Sequence, residues 1–331
     1  MTQPSAMLPL GLVAPVLFAV ATSLLTACGY PFVRRRLERL APSLRRKVLL
    51  AVALGPVLAG VGLTTLAFSP SLVALIWPAA DHCQLHEPPT HPHLCLVHPP
   101  RESASAAAWL LVGGVVGAAV LLAVQQMIRL IAASSLIRRL SRFARPDEST
   151  GASVFEATAP LALTAGAFEH SIYLSTGLLE AVSAQELAVV LAHERHHATS
   201  RDPFWRSLTS LSAGFHLPST RRRILADLHL ASEQACDEAA AIVTGNRPLV
   251  ARTIIMVSRL LERHGQKPAP ALVGFGGHHV VARVEAMLAD APGTRHRRLS
   301  PWLVLAALGI LAALAGPFHH LAETLLGLLA S

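Results

Sequence analysis

Ser183-Ala184-Gln185-Glu186-Leu187-Ala188-Val189-Val190-Leu191-Ala192-His193-Glu194-Arg195-His196-His197 holds a helix start and a metal-type motif in one stretch. Ser183 with Glu186 makes a Ser-x-x-Glu capping box. Leu187 to Ala192 is apolar on every face, as in a helix buried in a domain core. The last five residues read His-Glu-x-x-His. Residues four apart share a helix face, so His193 and His197 project side by side and can take two corners of a zinc tetrahedron. Glu194 then lies where it can take a proton from a water on the metal. His196 points about 100° away around the helix and is read as a neighbour rather than a ligand.

A catalytic zinc takes three protein ligands and keeps one position open. Glu233, 36 residues after His197 on a further helix expected over 219–243, is the expected third ligand. Asp237 is one turn on and is expected to accept the free N–H of a ligand histidine. Cys236 is near the same face; it can ligate as a thiolate, though a small buried apolar role suits it better. His229, His278 and His279 are candidates for stabilising the developing oxyanion. A histidine pair alone arises easily in a chain with 17 histidines. The cap, the preceding strand and the later Glu-x-x-x-Asp make incidental histidines the weaker reading.

The rest of the chain is membrane-like. It has 331 residues, 52% apolar and 15% charged, and its mean hydropathy is positive at +0.48. Residues 2–33, 48–77, 103–128 and 299–322 contain no charge. A bilayer core takes ~20 apolar helical residues. Four spans follow, roughly 7–28, 48–68, 106–128 and 301–318, the last interrupted by Pro317, which membrane helices tolerate. Arg34, Arg35, Arg36, Arg39, Arg45, Arg46 and Lys47 fill the first connection. Arg129, Arg138, Arg139, Arg142 and Arg145 follow the third span, and Arg295, Arg297 and Arg298 precede the fourth. These clusters place both basic connections in the cytoplasm and both termini outside. The net charge of +8 is thus a topology signal, and direct nucleic-acid binding is not expected. Leu25-Thr26-Ala27-Cys28 resembles a lipoprotein box, but residues 1–6 lack a basic n-region, so neither lipidation nor signal cleavage is expected.

Three regions result: 1–144 with three spans, 145–299 as a cytoplasmic domain, and 300–331 with the fourth span and a short external tail. In the external loop 78–104, Cys83 and Cys95 can pair as a disulfide, while Cys28 and Cys236 are expected as free thiols. Five histidines share that loop (His82, His86, His91, His93 and His98), which gives a metal-sensing alternative to a Pro-rich hairpin. Arg145–Gly151 reads as a polar linker. Residues 153–175 read as two or three short strands, the last near 171–174. An edge strand at 171–174 beside the metal, with Gly166, Ala167, Phe168 and Tyr173 nearby, could pair with an extended peptide. Asp202-Pro203 reads as an N-cap and first residue of a new helix. Further helices are expected at 248–263 and 279–289.

Tyr173–Glu180, Ser183–Ala188 and His193–His197 resemble the membrane metallopeptidases of the BlaR/MecR type. Arg201-Asp202-Pro203 and Glu233-Gln234-Ala235-Cys236-Asp237-Glu238 fit the same pattern, and Phe275-Gly276 with Val281-Ala282-Arg283-Val284 looks like its closing segment. The resemblance implies a mainly α protein: four transmembrane helices with an inserted cytoplasmic α+β gluzincin-type zinc peptidase domain. It implies one Zn²⁺ per chain on His193, His197 and Glu233, with Glu194 as catalyst. It also implies signal-dependent cleavage of the protein itself or of a cytosolic regulator, typically a winged-helix repressor. The antibiotic sensors of that family continue into an external penicillin-binding domain. With Ser331 as the last residue, such a domain is not expected, and a stimulus enters through 78–104, the membrane helices or a partner. Two alternatives stand beside this: a quality-control membrane protease of the HtpX type, and a non-catalytic metal-binding sensor or scaffold. The HtpX type usually places spans between the two motifs, whereas only 35 residues, several of them Arg, lie between His197 and Glu233.

Overall fold

The computed structural model describes residues 7–80, 106–166, 170–264, 273–274, 279–289, 309, 313, 315–322 and 324. The Cys83–Cys95 pairing, the histidine-bearing part of the external loop, and most of the fourth expected span lie outside these residues.

Two long helices open the chain, α1 (Met7–Leu37) and α2 (Pro42–Ile76), and α3 (Ala106–Phe143) follows. Among the described residues three segments are long and apolar enough to cross a membrane: Gly11–Leu37, Pro42–Ile76 and Val112–Arg129. Small residues let α1 and α2 approach closely, as in membrane helix pairs. A Cβ on Gly60 would lie 2.5 Å from the carbonyl oxygen of Pro15, so only glycine fits there. Ala14, Ala67 and Ala322 bury against Leu17, Phe18, Phe68 and Phe318, so the described part of the fourth segment packs on this pair.

Five short strands form one mixed sheet: β1 (Arg145–Asp147), β2 (Ala152–Phe155), β3 (Ala162–Ala165), β4 (Ser171–Ser175) and β5 (Val273–Gly274). Their order is β1-β2-β4-β3-β5, with β2 and β4 parallel and the other pairs antiparallel. The expected linker at 145–151 is instead β1 and a tight turn. Pro146 is tolerated because β1 is an edge strand, and the Asp147 carboxylate accepts from Ser149 and Thr150 to close the turn. The expected edge strand at 171–174 is instead central: β4 is flanked by β2 and β3. The reason is burial on both faces. Ile172 and Leu174 enter one core while Tyr173 enters the other.

The first core lies between the sheet and five helices: α4 (Thr176–Ala181), α5 (Ala184–Thr199), α7 (Pro218–Thr244), α8 (Arg247–Arg263) and α9 (Val280–Leu288). Leu178, Val189, Val190, Val250, Ile254 and Met287 are its centre. On the opposite face of the sheet, Phe155, Leu163, Ala165 and Tyr173 pack against Ile137 and Leu140, so α3 continues past its apolar span to cover the sheet. The expected capping box is present: Ser183 Oγ accepts from Glu186 N–H, and Glu186 accepts from Ser183 N–H at 2.9 Å. Between α5 and α7 lies α6 (Asp202–Ser212), followed by a 3-10 turn (Ala213–Phe215). Its end reaches α2: Ser212 Oγ donates to Ala53 O at 2.9 Å, and His216 Nε2 lies 3.2 Å from Val52 O. Ile224, Leu228 and Ala231 of α7 bury against Tyr30, Leu49 and Ala53 of the membrane pair.

The β4–α4 junction is the tightest point of the domain. A Cβ on Gly177 would fall 2.1 Å from Thr158 O and 2.9 Å from Ala157 O, both backbone atoms. Gly177→Ala is expected to destabilise the protein by about 1–3 kcal/mol, the usual range for forced overpacking. Chemical unfolding of the detergent-solubilised chain measures this.

Candidate metal centre

The rigid element is α5, buried along one side and anchored at its start by the capping box. His193, Glu194 and His197 on it are all fully buried. One turn of helix separates the two histidines, so their rings meet edge to face, 4.8 Å between centroids, with the Nε2 atoms 3.1 Å apart. Glu233 projects from α7 into the same space. Its carboxylate oxygens lie 3.5 Å from His197 Nε2 and 3.6 Å from His193 Nε2.

Each ring is held from behind by a carboxylate. His193 Nδ1 lies 3.0 Å from Asp237 Oδ1, and His197 Nδ1 lies 2.6 Å from Asp202 Oδ2. With Nδ1–H donated to a carboxylate, a neutral imidazole presents its lone pair at Nε2. With both rings neutral, as ligation requires, two lone pairs and a carboxylate would face one another in a water-poor interior. That is a strongly electron-rich arrangement, and a cation between them resolves it. Donor atoms bound tetrahedrally to one zinc at ~2.0–2.1 Å stand roughly 3.3 Å apart. The separation of the two Nε2 atoms, 3.1 Å, and the approaches of the carboxylate, 3.5 Å from Oε1 to His197 and 3.6 Å from Oε2 to His193, are of that size.

A second donor set uses Cys236 in place of Glu233. Donor atoms of His193, His197 and Cys236 lie within 4.8 Å of one another. Two facts weigh against it. Cys236 Sγ approaches His197 on its Nδ1 side, at 3.3 Å, where Asp202 already sits. Burial and then the surrounding carboxylates, Asp202 first, push the Cys236 thiol well above its ordinary pKa, so the thiolate is disfavoured.

Arg283 on α9 organises the acids. Its Nε and Nη2 donate to Asp237 at 2.7 and 2.6 Å, and Nη1 stands 3.0 Å from Glu233 Oε2. Burial opposes ionisation of Glu233, but Arg283 and then the two imidazoles outweigh it and hold the carboxyl well below the usual range. Asp237 is lowered against burial by Arg283 and His193. Asp202 is lowered against burial by His197 and Arg46. Burial also opposes a charge on His193, yet Asp237 and Glu233 raise it to about 9.

Glu194 faces the sheet. Thr164 Oγ1 on β3 is 2.7 Å from Glu194 Oε2 and 2.9 Å from its backbone carbonyl. Thr164 therefore sets the orientation of this carboxylate, and β3, not β4, is the strand beside the site. Asp202 does not cap α6 as expected. Arg201 occupies the N-cap in a left-handed conformation, φ 52° and ψ 40°, and this bend turns the Asp202 carboxylate back onto His197. His196 lies apart from the Nε2 cluster, with its own Nε2 3.2 Å from Ser200 Oγ.

Of the oxyanion candidates, His229 is one turn before Glu233 on α7. Burial and then Arg206 lower it to about 4, so it is neutral at pH 7. His279 precedes α9 in a left-handed conformation, φ 73°, within electrostatic range of His229. His278 lies outside the described residues. Thr164, Asp202 and Arg283 were not among the expected site residues. Arg206, a half-buried cation near Glu233 and Asp202, was also not expected.

Residues 125–274 match the model of peptidase family M48, a little under half of the chain. No curated protein matches. The matched stretch runs from α3 to β5 and includes every residue of the donor cluster except Arg283. The match supports a metallopeptidase, a hydrolase of protein substrates, and the M48 enzymes are zinc-dependent.

Loss of one donor separates the two candidate sets. Glu233→Ala is expected to reduce metal content after dialysis from about one zinc per chain to near none, whereas Cys236→Ser leaves it unchanged. Metal analysis of purified protein reads both.

The pKa shifts fix a pH window for the metal-free protein. Glu233, Asp237 and Asp202 are depressed, so their contribution is present above the ordinary carboxyl range and is lost as pH falls below it. His193 is raised from 6.5 to about 9, so its contribution is full below 6.5 and fades by pH 9. Stability is expected to peak between these limbs. Zinc should abolish the alkaline limb, because a ligand imidazole must be neutral. Denaturant midpoints against pH, with and without zinc, test both signs.

Proposed function

We propose that the chain is a membrane-embedded zinc metalloendopeptidase whose site faces the cytoplasm. The observation that carries the reading is the buried cluster of His193 Nε2, His197 Nε2 and the Glu233 carboxylate, whose Oε2 faces His193 and whose Oε1 faces His197, with Glu194 adjacent on the same helix. The cytoplasmic assignment is supported by the basic ends of α1, α2 and α3, because the domain packs against those ends.

His193, His197 and Glu233 would hold the metal. When bound, zinc supplies Lewis acidity, polarising a scissile carbonyl and lowering the pKa of an attacking water. Asp237 and Asp202 keep each imidazole in the tautomer whose lone pair is at Nε2. Glu194 takes the proton from the attacking water and passes it to the leaving amine. Thr164 holds Glu194 Oε2 and so limits the carboxylate to one orientation. The neutral His229 imidazole, one turn before Glu233, or His279 would supply the donor to the developing oxyanion.

The biological role that fits best is regulated cleavage of the protein itself or of a cytosolic regulator such as a winged-helix repressor. Direct packing of α7 on α1 and α2 favours it, since movement of those helices reaches the element that carries Glu233. Quality-control proteolysis is the second reading, and cleavage of many unrelated membrane proteins in cells would favour it.

Glu194→Gln is the central test. It is expected to keep one zinc per chain and to lower peptide hydrolysis by roughly 10²–10⁴-fold, the range for loss of a general base. Equal metal with equal hydrolysis in both proteins would exclude Glu194 as the base. Equal metal with no hydrolysis in either would leave a metal-binding scaffold.

A further inference from the structure

The first turns of α2 carry two adjacent arginines, and both reach residues that flank the candidate metal centre. Arg46 Nη2 donates to the backbone carbonyl of Ser200 at 3.0 Å and to Asp202 Oδ1. The same Asp202 presents its other oxygen, Oδ2, to His197 Nδ1 at 2.6 Å. Arg46 and Asp202 are nearly buried, with 11% and 7% of their side-chain surfaces exposed, so water does not compete freely for this pair. Arg45 makes a parallel contact. It donates to Gln234 Oε1, and Gln234 Nε2 donates to Ala282 O at 3.0 Å, beside the Arg283 that grips Asp237 and Glu233.

Asp202 alone is poorly restrained by its own backbone. It begins α6 directly after Arg201, whose left-handed conformation is uncommon for a residue with a Cβ. A carboxylate turned back by such a bend stays in place only where something holds it. Arg46 does so at two points, the carboxylate and the carbonyl two residues earlier, so the whole turn is pinned to the membrane helix.

We propose that Arg46 is a positioning residue for the metal site: through Asp202 it fixes the orientation and tautomer of His197, so that metal affinity depends on where the second membrane helix stands relative to α6. This rests on the metallopeptidase reading and adds its regulation. A displacement of α2 that withdraws Arg46 releases Asp202 and weakens the grip of His197. A stimulus acting on the membrane helices thus has a short route to the metal, with one residue between helix and ligand.

The alternative is that Arg46 only tethers the domain to the membrane. A second tether allows the two to be told apart. Arg34 and Tyr30 of α1 bind Asp227 of α7, at 2.6–2.8 Å, two turns away from Glu233. The experiment uses the full chain in lipid nanodiscs, with zinc titrated against a chromogenic chelator. Arg46→Ala is expected to weaken zinc binding about 10–100-fold, the cost of losing a partner behind a metal ligand. Both contacts of Arg46 leave from Nη2, so Arg46→Lys keeps the charge but must serve both acceptors from a shorter side chain, and a smaller loss of about 3–10-fold is expected. Arg34→Ala is expected to leave zinc affinity within about twofold of wild type, because its contacts end at Asp227.

Wild-type affinity in Arg46→Ala overturns the proposal while leaving the metal centre standing. An equal loss in Arg34→Ala also overturns it, since tethering alone would then suffice. If Arg46→Ala does not fold, Arg46→Lys decides, and unchanged affinity there counts against the proposal. Failure of wild type to bind zinc, or binding that survives His193→Ala, removes the metal reading itself.

Discussion

Two imidazole Nε2 atoms are made to converge inside the protein, and each ring must be fixed from behind for the convergence to hold. Burial of a ring with a free Nδ1–H would leave a donor unpaired, at a cost of about 1–3 kcal/mol. Asp237 and Asp202 remove that cost and also choose the tautomer. The acids create a new difficulty, because buried carboxylates are themselves expensive. Arg283 answers for Asp237 and Glu233, and Arg46 for Asp202. Helices α2, α5, α6, α7 and α9 are therefore committed to one another through charge as much as through apolar packing.

That commitment explains why removing one partner of the network is worse than never having built it. A lone buried ion costs several kcal/mol, while the complete network is roughly neutral against an apolar replacement. The donor set is consequently a poor source of stability and a good source of specificity for a cation. Apolar contacts of Leu178, Val189, Val190 and Ile254 supply the stability, and they sit on the same helices. Division of labour runs along α5: its first two and a half turns or so bury apolar side chains, and its last two or so carry the candidate donors.

Features with a local period were legible in the sequence. His193 and His197, Glu233 and Asp237, and the Ser183–Glu186 box all follow from helical spacing, and the helices formed where expected. What the sequence did not disclose depends on contacts between elements. Thr164 is an ordinary strand residue until β3 lies on α5. Arg283 and Arg46 look like two more basic residues in a chain rich in them, and nothing local says that they point inward. The centrality of β4 was hidden for a related reason: a five-residue strand buried on both faces has no alternation to mark which face is which. Pro146 misled in the other direction, since proline argues against a strand except at an edge, which is where β1 lies.

Helix α7 shows how the apolar helix pair and the domain that carries the candidate site became one object. Its N-terminal half turns Ile224, Leu228 and Ala231 toward Tyr30, Leu49 and Ala53, and its C-terminal half turns Ala240 and Ala241 into the sheet core. Glu233, Cys236 and Asp237 lie at the crossover, where the buried face passes from α2 to α5. A straight helix cannot adjust one half without carrying the other. Rotation by one residue at its membrane end turns the donor face by about 100°, so the apolar packing against α1 and α2 fixes the angle at which Glu233 meets the histidines. The position of the α1–α2 pair is in this sense a structural parameter of the candidate metal centre, set by side chains that never touch it.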